Sequence, residues 1–138
     1  MSYPLLLAPQ FDPKIWGGRR LETVLGKALP TPEPYGESLE SDDRSTVTNG
    51  PLAGRAIADL IRLESEALLG SRGVSDSGAL SDFPLLAKFI DATDVLSVQV
   101  HPNEDEAAPI GKRGKTEAWH IIAADPGSKL ITGVRPDV

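Results

Sequence analysis

Proline and glycine punctuate this chain so densely that long regular elements have little room. Twelve prolines and thirteen glycines make up about 18% of its 138 residues, above average usage. Proline removes a backbone donor and cannot continue a helix, and glycine marks turns. The pattern therefore favours many turns and short strands. "ALPTPEPYG", with Pro30, Pro32 and Pro34, reads as an extended surface loop, and "TNGP" as a turn. One stretch escapes this punctuation well enough to be a clear helix. It is Leu52 to Leu69, where Ala56, Ile57, Leu60, Ile61, Leu63, Ala67 and Leu68 form an apolar stripe, with Gly70 beyond its end.

The other apolar runs are short. "YPLLLAP" near the start and "ESLES" read as strands, and "RRLETVLG" as a short helix ending at Gly26. A small-residue loop, "GSRGVSDSGALSD", separates the long helix from four further runs: "PLLAKFID", "VLSVQVH", "TEAWHII" and "SKLITGV". Their spacing and turn residues predict a β-sandwich or barrel rather than alternating βαβ units. The length suits one domain with a real core.

Composition excludes several classes. The chain has no cysteine, so disulfides and thiolate metal sites are impossible, and any metal must be held by His, carboxylate or amide groups. A net charge of −6 argues against a general nucleic-acid binder. The N-terminal apolar run lacks a basic flank and carries an early proline, unlike a signal peptide, and no stretch approaches a membrane span. A cytoplasmic protein with neither a nucleic-acid nor a membrane partner is the expectation.

Within "LSVQVHP", period-two geometry places Ser97, Gln99 and His101 on one face of a strand and Leu96, Val98 and Val100 on the other. In a small barrel such a polar face can line a cavity. The loop that follows leads to "KTEAWHII", where Lys115, Glu117, Trp119 and Ile121 share a face. If the two strands are near neighbours, Glu117 reaches the point where Gln99 and His101 converge. An amide oxygen, an imidazole nitrogen and a carboxylate oxygen suit Zn²⁺, and also Mn²⁺ or Fe²⁺. His120 lies on the opposite face from Glu117 by parity and reads as a packed or exposed histidine rather than a ligand.

"LSVQVHPNEDEA" followed by "GKTEAWHII" resembles the type I phosphomannose isomerases, zinc-dependent mannose-6-phosphate isomerases of the cupin superfamily. "KIWGGRRL", "YGESLE", "NGPLAGRAIADL" and "FPLLAKFIDATDVLSVQVHP" agree in order, so the resemblance runs along nearly the whole chain. It implies a mainly β, cupin-like jelly-roll barrel or sandwich, incomplete here, with one or two packed helices. It implies Gln99, His101 and Glu117 as zinc ligands and a catalytic or substrate-contacting role for Lys115. The family's fourth ligand is a histidine in a second cupin motif, whereas no histidine follows His120 here. Residues 1–138 therefore read as the single N-terminal catalytic domain of such an enzyme, truncated relative to the family.

The implied reaction interconverts mannose 6-phosphate and fructose 6-phosphate through a cis-enediol. Trp16 is a candidate wall of the sugar pocket. Lys88, which interrupts an apolar run, is a substrate-side candidate, and Glu37 and Ser38 are weaker ones. The alternative is a non-catalytic half-cupin binding metal or sugar phosphate, or a fragment needing a complementary chain. A cupin oxygenase would want His-x-His where Gln99 stands. An incomplete barrel leaves an unpaired sheet edge and an exposed apolar face, so self-association or a complementary chain is expected.

Overall fold

The computed structural model describes residues 3–76 and 83–133. They fall into two compact units, Met1–Leu96 and Ser97–Val138.

The first unit is organised by a three-stranded antiparallel sheet in the order β1-β2-β3. Its strands are β1 (Gln10–Gly18), β2 (Tyr35–Ser41) and β3 (Ala87–Ile90). "ESLES" is thus a strand, and "PLLAKFID" contributes β3. The ladder of β1 and β2 shifts register at Pro13, where the proline has no N–H to donate. On the other side of β2, Glu37 opposes Ile90, Ser38 opposes Phe89 and Leu39 opposes Lys88. β1 passes so close to β2 that a Cβ on Gly17 would overlap the Tyr35 carbonyl carbon. Helix α1 (Arg20–Thr23) follows at once. Asp91, buried at the end of β3, accepts the Arg20 N–H at 2.6 Å and ties the sheet to the start of α1. α1 ends at Thr23, and the chain leaves it through a left-handed turn at the expected Gly26: Gly26 has φ +66°, its N–H donates to Glu22 O, and the Lys27 N–H donates to Leu21 O.

The long helix, α2, runs from Ile57 to Asp76. It begins later than the apolar pattern predicts. Residues 54–57 run beside 45–47 instead, with Val47 N–H donating to Arg55 O and Ile57 N–H to Ser45 O. Thr46 and Ala56 form a β-bridge there. Backbone donors and acceptors used sideways in this way cannot also serve a helix. Non-helical dihedrals at Glu64 and Gly70 interrupt α2. The loop expected over 70–82 is helical as far as Asp76, because helical turns resume after Gly70. The rest of it, 77–82, lies outside the described residues.

Ile57, Leu60 and Ile61 of the expected stripe are buried with Val47. Leu5, Leu7, Leu52, Leu68, Leu69 and Phe83 pack around them as the core of this unit. Leu63 departs from the stripe and is 66% exposed. Six residues beyond Ile57, it lies about 120° round the helix from that residue. "YPLLLAP" supplies a single bridge, Leu7 to Val47, rather than a strand.

In the second unit the strand expectation fails. Residues 97–101, 116–122 and 128–133 form no ladder among the described residues, nor do 95–96 at the end of the first unit, and Val134 of "SKLITGV" lies outside them. Alternation makes a segment able to be a strand, but only a partner in register makes it one. Without that partner Val98 and Val100 are 70% and 79% exposed. The regular elements here are a short helix, α3 (Glu104–Ala107), and a 3-10 turn over Ala108–Ile110.

Candidate metal and catalytic site

The second unit is built around the loop between Pro102 and Lys115. Pro102 ends the extended run, and Asn103 starts α3 with a full capping box. The Asn103 side chain accepts the Glu106 N–H at 2.9 Å, and the Glu106 carboxylate accepts the Asn103 N–H at 3.1 Å. Ala107 is fully buried beneath the loop. Gly111, at φ +66°, reverses the chain after the 3-10 turn. The Lys115 N–H then donates to Pro102 O at 3.1 Å and closes the loop.

That closure sets residues 115–117 beside His101. Glu117 Oε2 lies 2.9 Å from His101 Nε2 and 3.1 Å from Lys115 Nζ. Lys115 Nζ is itself 3.3 Å from His101 Nε2. The side chains of His101, Glu117 and Lys115 are 29%, 27% and 41% exposed, so a solute can reach the cluster. Burial alone would raise the Glu117 carboxyl. The hydrogen bond and charge of Lys115, a hydrogen bond from Trp119 and the charge of His101 outweigh it and hold Glu117 below the ordinary carboxylate value. The ionised carboxylate can bind a cation or accept a proton, and the ammonium beside it can donate to a developing oxyanion.

The other candidates lie elsewhere. Gln99 is exposed, and its amide Nε2 donates to Ser97 Oγ at 3.1 Å, a contact between i and i+2 side chains that an extended backbone allows. His120 is exposed and outside the cluster, and among the described residues no group of three His, Asp or Glu side chains is placed to hold a metal. Gln99, His101 and Glu117 nevertheless fit zinc in kind, since they offer oxygen, nitrogen and a carboxylate that stays ionised. In position, His101 and Glu117 are brought together and Gln99 is not.

In the first unit Lys88 leaves the apolar run by pairing with Glu37, Nζ to Oε1 3.1 Å, both side chains about a quarter exposed. Ser38 is fully buried beside Glu40. Trp16 is partly buried and its ring covers Gly36, where a Cβ would lie 2.5 Å from the indole. Trp119 as a partner of Glu117 and the braced loop behind Lys115 were not singled out from the sequence as parts of the site. Signals for both existed, in the shared face of Glu117 and Trp119 and in the Asn-x-x-Glu spacing of "NEDE".

Residues 5–125 match the family model for the phosphomannose isomerase type I catalytic domain. The chain belongs to this family. It is 39% identical to the probable mannose-6-phosphate isomerase GmuF of Bacillus subtilis, over 96% of this chain and 42% of that protein. It is also 39% identical to a mannose-6-phosphate isomerase of Streptococcus mutans, over 96% of this chain and 41% of that protein. Among solved structures, a mannose 6-phosphate isomerase from Bacillus subtilis superposes with a TM-score of 0.68 at 31% identity, covering 82% of this chain and 35% of that one. A mutant phosphomannose isomerase from Salmonella typhimurium gives 0.62 at 25% identity, covering 75% and 27%. The chain thus spans about two-fifths of the length of the curated relatives it matches. Among its described residues no helix is long and apolar enough to cross a membrane.

Proposed function

We propose that this phosphomannose isomerase-family chain contributes to a site that interconverts mannose 6-phosphate and fructose 6-phosphate in the cytoplasm. Gln99, His101 and Glu117 would hold zinc, with Lys115 beside them. The observation that carries this reading is the meeting of His101 and Lys115 on one oxygen of Glu117, within the segment that matches the family. A cupin-like jelly roll is the architecture the reading implies for the whole enzyme.

Aldose–ketose exchange moves a proton between C1 and C2 through a cis-enediol, so the site must handle a weakly acidic C–H and an oxyanion. Zinc, when bound, supplies Lewis-acid polarisation of the substrate oxygens. Glu117 remains ionised and supplies the negative ligand. Lys115 carries three N–H donors and can turn one from Glu117 towards an oxygen on which charge develops. To take the C–H proton as well, the Lys115 ammonium would first have to give one up. Trp16 would wall the sugar, and Lys88, released from Glu37, would meet a substrate oxygen.

Incubation of the purified chain with zinc and mannose 6-phosphate, with fructose 6-phosphate measured, tests the reading. Product formation that disappears in Lys115→Met supports it. No product beside an active full-length relative rules out catalysis by this chain alone.

A second reading is favoured by the exposed Val98 and Val100, which lie in no ladder among the described residues. In it the chain binds metal or sugar phosphate and reaches activity only with a complementary chain, or associates with itself through the unpaired segment. Stoichiometric zinc without turnover supports this reading. Absence of both zinc and protection by sugar phosphate in thermal melts removes it.

A further inference from the structure

We infer that Glu104 is a positioning residue for the candidate site, acting with Gly114 as a clamp that sets Lys115 and Glu117 against His101. Glu104 touches neither His101 nor Glu117 in the contacts described above. It is the first residue of α3, and its Oε2 accepts the Gly114 N–H at 3.0 Å. Gly114 packs directly on the backbone at the start of that helix. A Cβ there would lie 2.6 Å from the Glu104 amide nitrogen and 2.7 Å from the Asn103 carbonyl carbon. The next residue is Lys115, whose N–H is bonded to Pro102 O.

Two adjacent amides are therefore held by residues two positions apart at the start of α3. Gly114 is held from α3 and Lys115 from the residue after His101. The capping box of Asn103 and Glu106 stiffens the same turn from inside, and the buried Ala107 anchors it. With both amides fixed, the side chain of Lys115 and that of Glu117 two residues on return to His101. Release of the Glu104 contact leaves the returning segment to the bonds from Lys112 N–H to Ala107 O and from Lys115 N–H to Pro102 O, and the spacing of the imidazole and carboxylate is set less tightly. The cost falls on the geometry of the site more than on the fold, because Glu104 and Gly114 lie outside the buried apolar cluster of the first unit.

This inference rests on the reading of His101 and Glu117 as metal ligands, and two measurements separate them. Zinc affinity is measured by calorimetry for the parent chain, Glu104→Ala, Glu104→Gln and Gly114→Ala. In the metal-free proteins, nuclear Overhauser contacts between the His101 ring and the Lys115 side chain are recorded. Glu104→Ala is expected to weaken zinc binding about tenfold, in the range found for partners that orient ligands, and to lose the contacts. Glu104→Gln keeps an acceptor oxygen and should stay within about threefold of the parent, with the contacts retained. Melting temperatures of the two Glu104 variants should match, which a purely structural role would not produce. Gly114→Ala should lose the contacts, and if it fails to fold, the Glu104 pair decides. Parent-like zinc affinity and contacts in Glu104→Ala would overturn the clamp, as would equal losses in Glu104→Gln and Glu104→Ala. If the parent chain binds no zinc, the metal reading fails, and the His101–Lys115 contacts alone decide the clamp.

Discussion

His101 Nε2 and Glu117 Oε2 lie 2.9 Å apart although the whole 102–115 loop separates them in sequence. The pair exists because that loop is closed at its base by the bond from Lys115 N–H to Pro102 O. Glu117→Gln keeps the shape of the side chain but removes its charge. Zinc affinity measured by competition with a chromophoric chelator should fall by at least about 100-fold, beyond the usual cost of losing an outer partner. An unchanged affinity would remove Glu117 from the ligand set.

Lys115→Met should raise the titration midpoint of Glu117. Burial already pushes that carboxyl upward, and Lys115 is the main group opposing it. With Lys115 gone, the midpoint should move up towards the ordinary glutamate value. The sign for stability follows. A depressed folded value stabilises the native cluster above the unfolded value, about pH 4.3 for a glutamate, and that contribution is lost as pH falls through the folded value. Acidification should therefore loosen Glu117 from His101, and at a higher pH in Lys115→Met than in the parent. Carbon-13 carboxyl shifts of Glu117 followed between about pH 2 and 7 measure both effects.

Gly36→Ala tests how Trp16 is seated. The new methyl would meet the indole and the Lys14 side chain at 2.5 and 2.6 Å, so the ring must move. A loss of about 1–3 kcal/mol is expected for such overpacking. Tryptophan emission should shift to longer wavelength as the indole gains water. Full stability with unchanged emission would contradict the packing.

Ile61→Ala should cost about 2–5 kcal/mol in denaturant unfolding, the range for deleting a large buried aliphatic side chain. Leu63→Ala, two residues on but 66% exposed, should change stability by less than about 0.5 kcal/mol. Similar losses at the two positions would mean that α2 is rotated from the orientation seen here.

Much of the first unit was legible because its signals are local. Gly26 leads the chain away from α1 through a left-handed turn that a glycine adopts freely. Ile57, Leu60 and Ile61 mark the buried side of α2 by helical spacing. The start of α2 was not legible, because residues 54–57 bond sideways to 45–47, and no periodicity within 52–69 announces a partner distant in sequence. The same limit explains the second unit. Val98 and Val100 alternate as strand residues should, yet no ladder forms there among the described residues, since pairing belongs to two segments and alternation to one.

For the candidate site, the sequence by itself determined the donor types, the absence of thiolate ligands, and the parity that sets His101 with Gln99 and Lys115 with Glu117. Those properties follow from side-chain chemistry and from the two-residue repeat of an extended backbone. Only the tertiary structure decided that His101, Lys115 and Glu117 meet at one carboxylate oxygen while Gln99 turns to Ser97. That outcome depends on how the 102–115 loop closes. The closure is set by a capping box, a left-handed glycine and a glycine with no room for a side chain, acting together through contacts that span the loop.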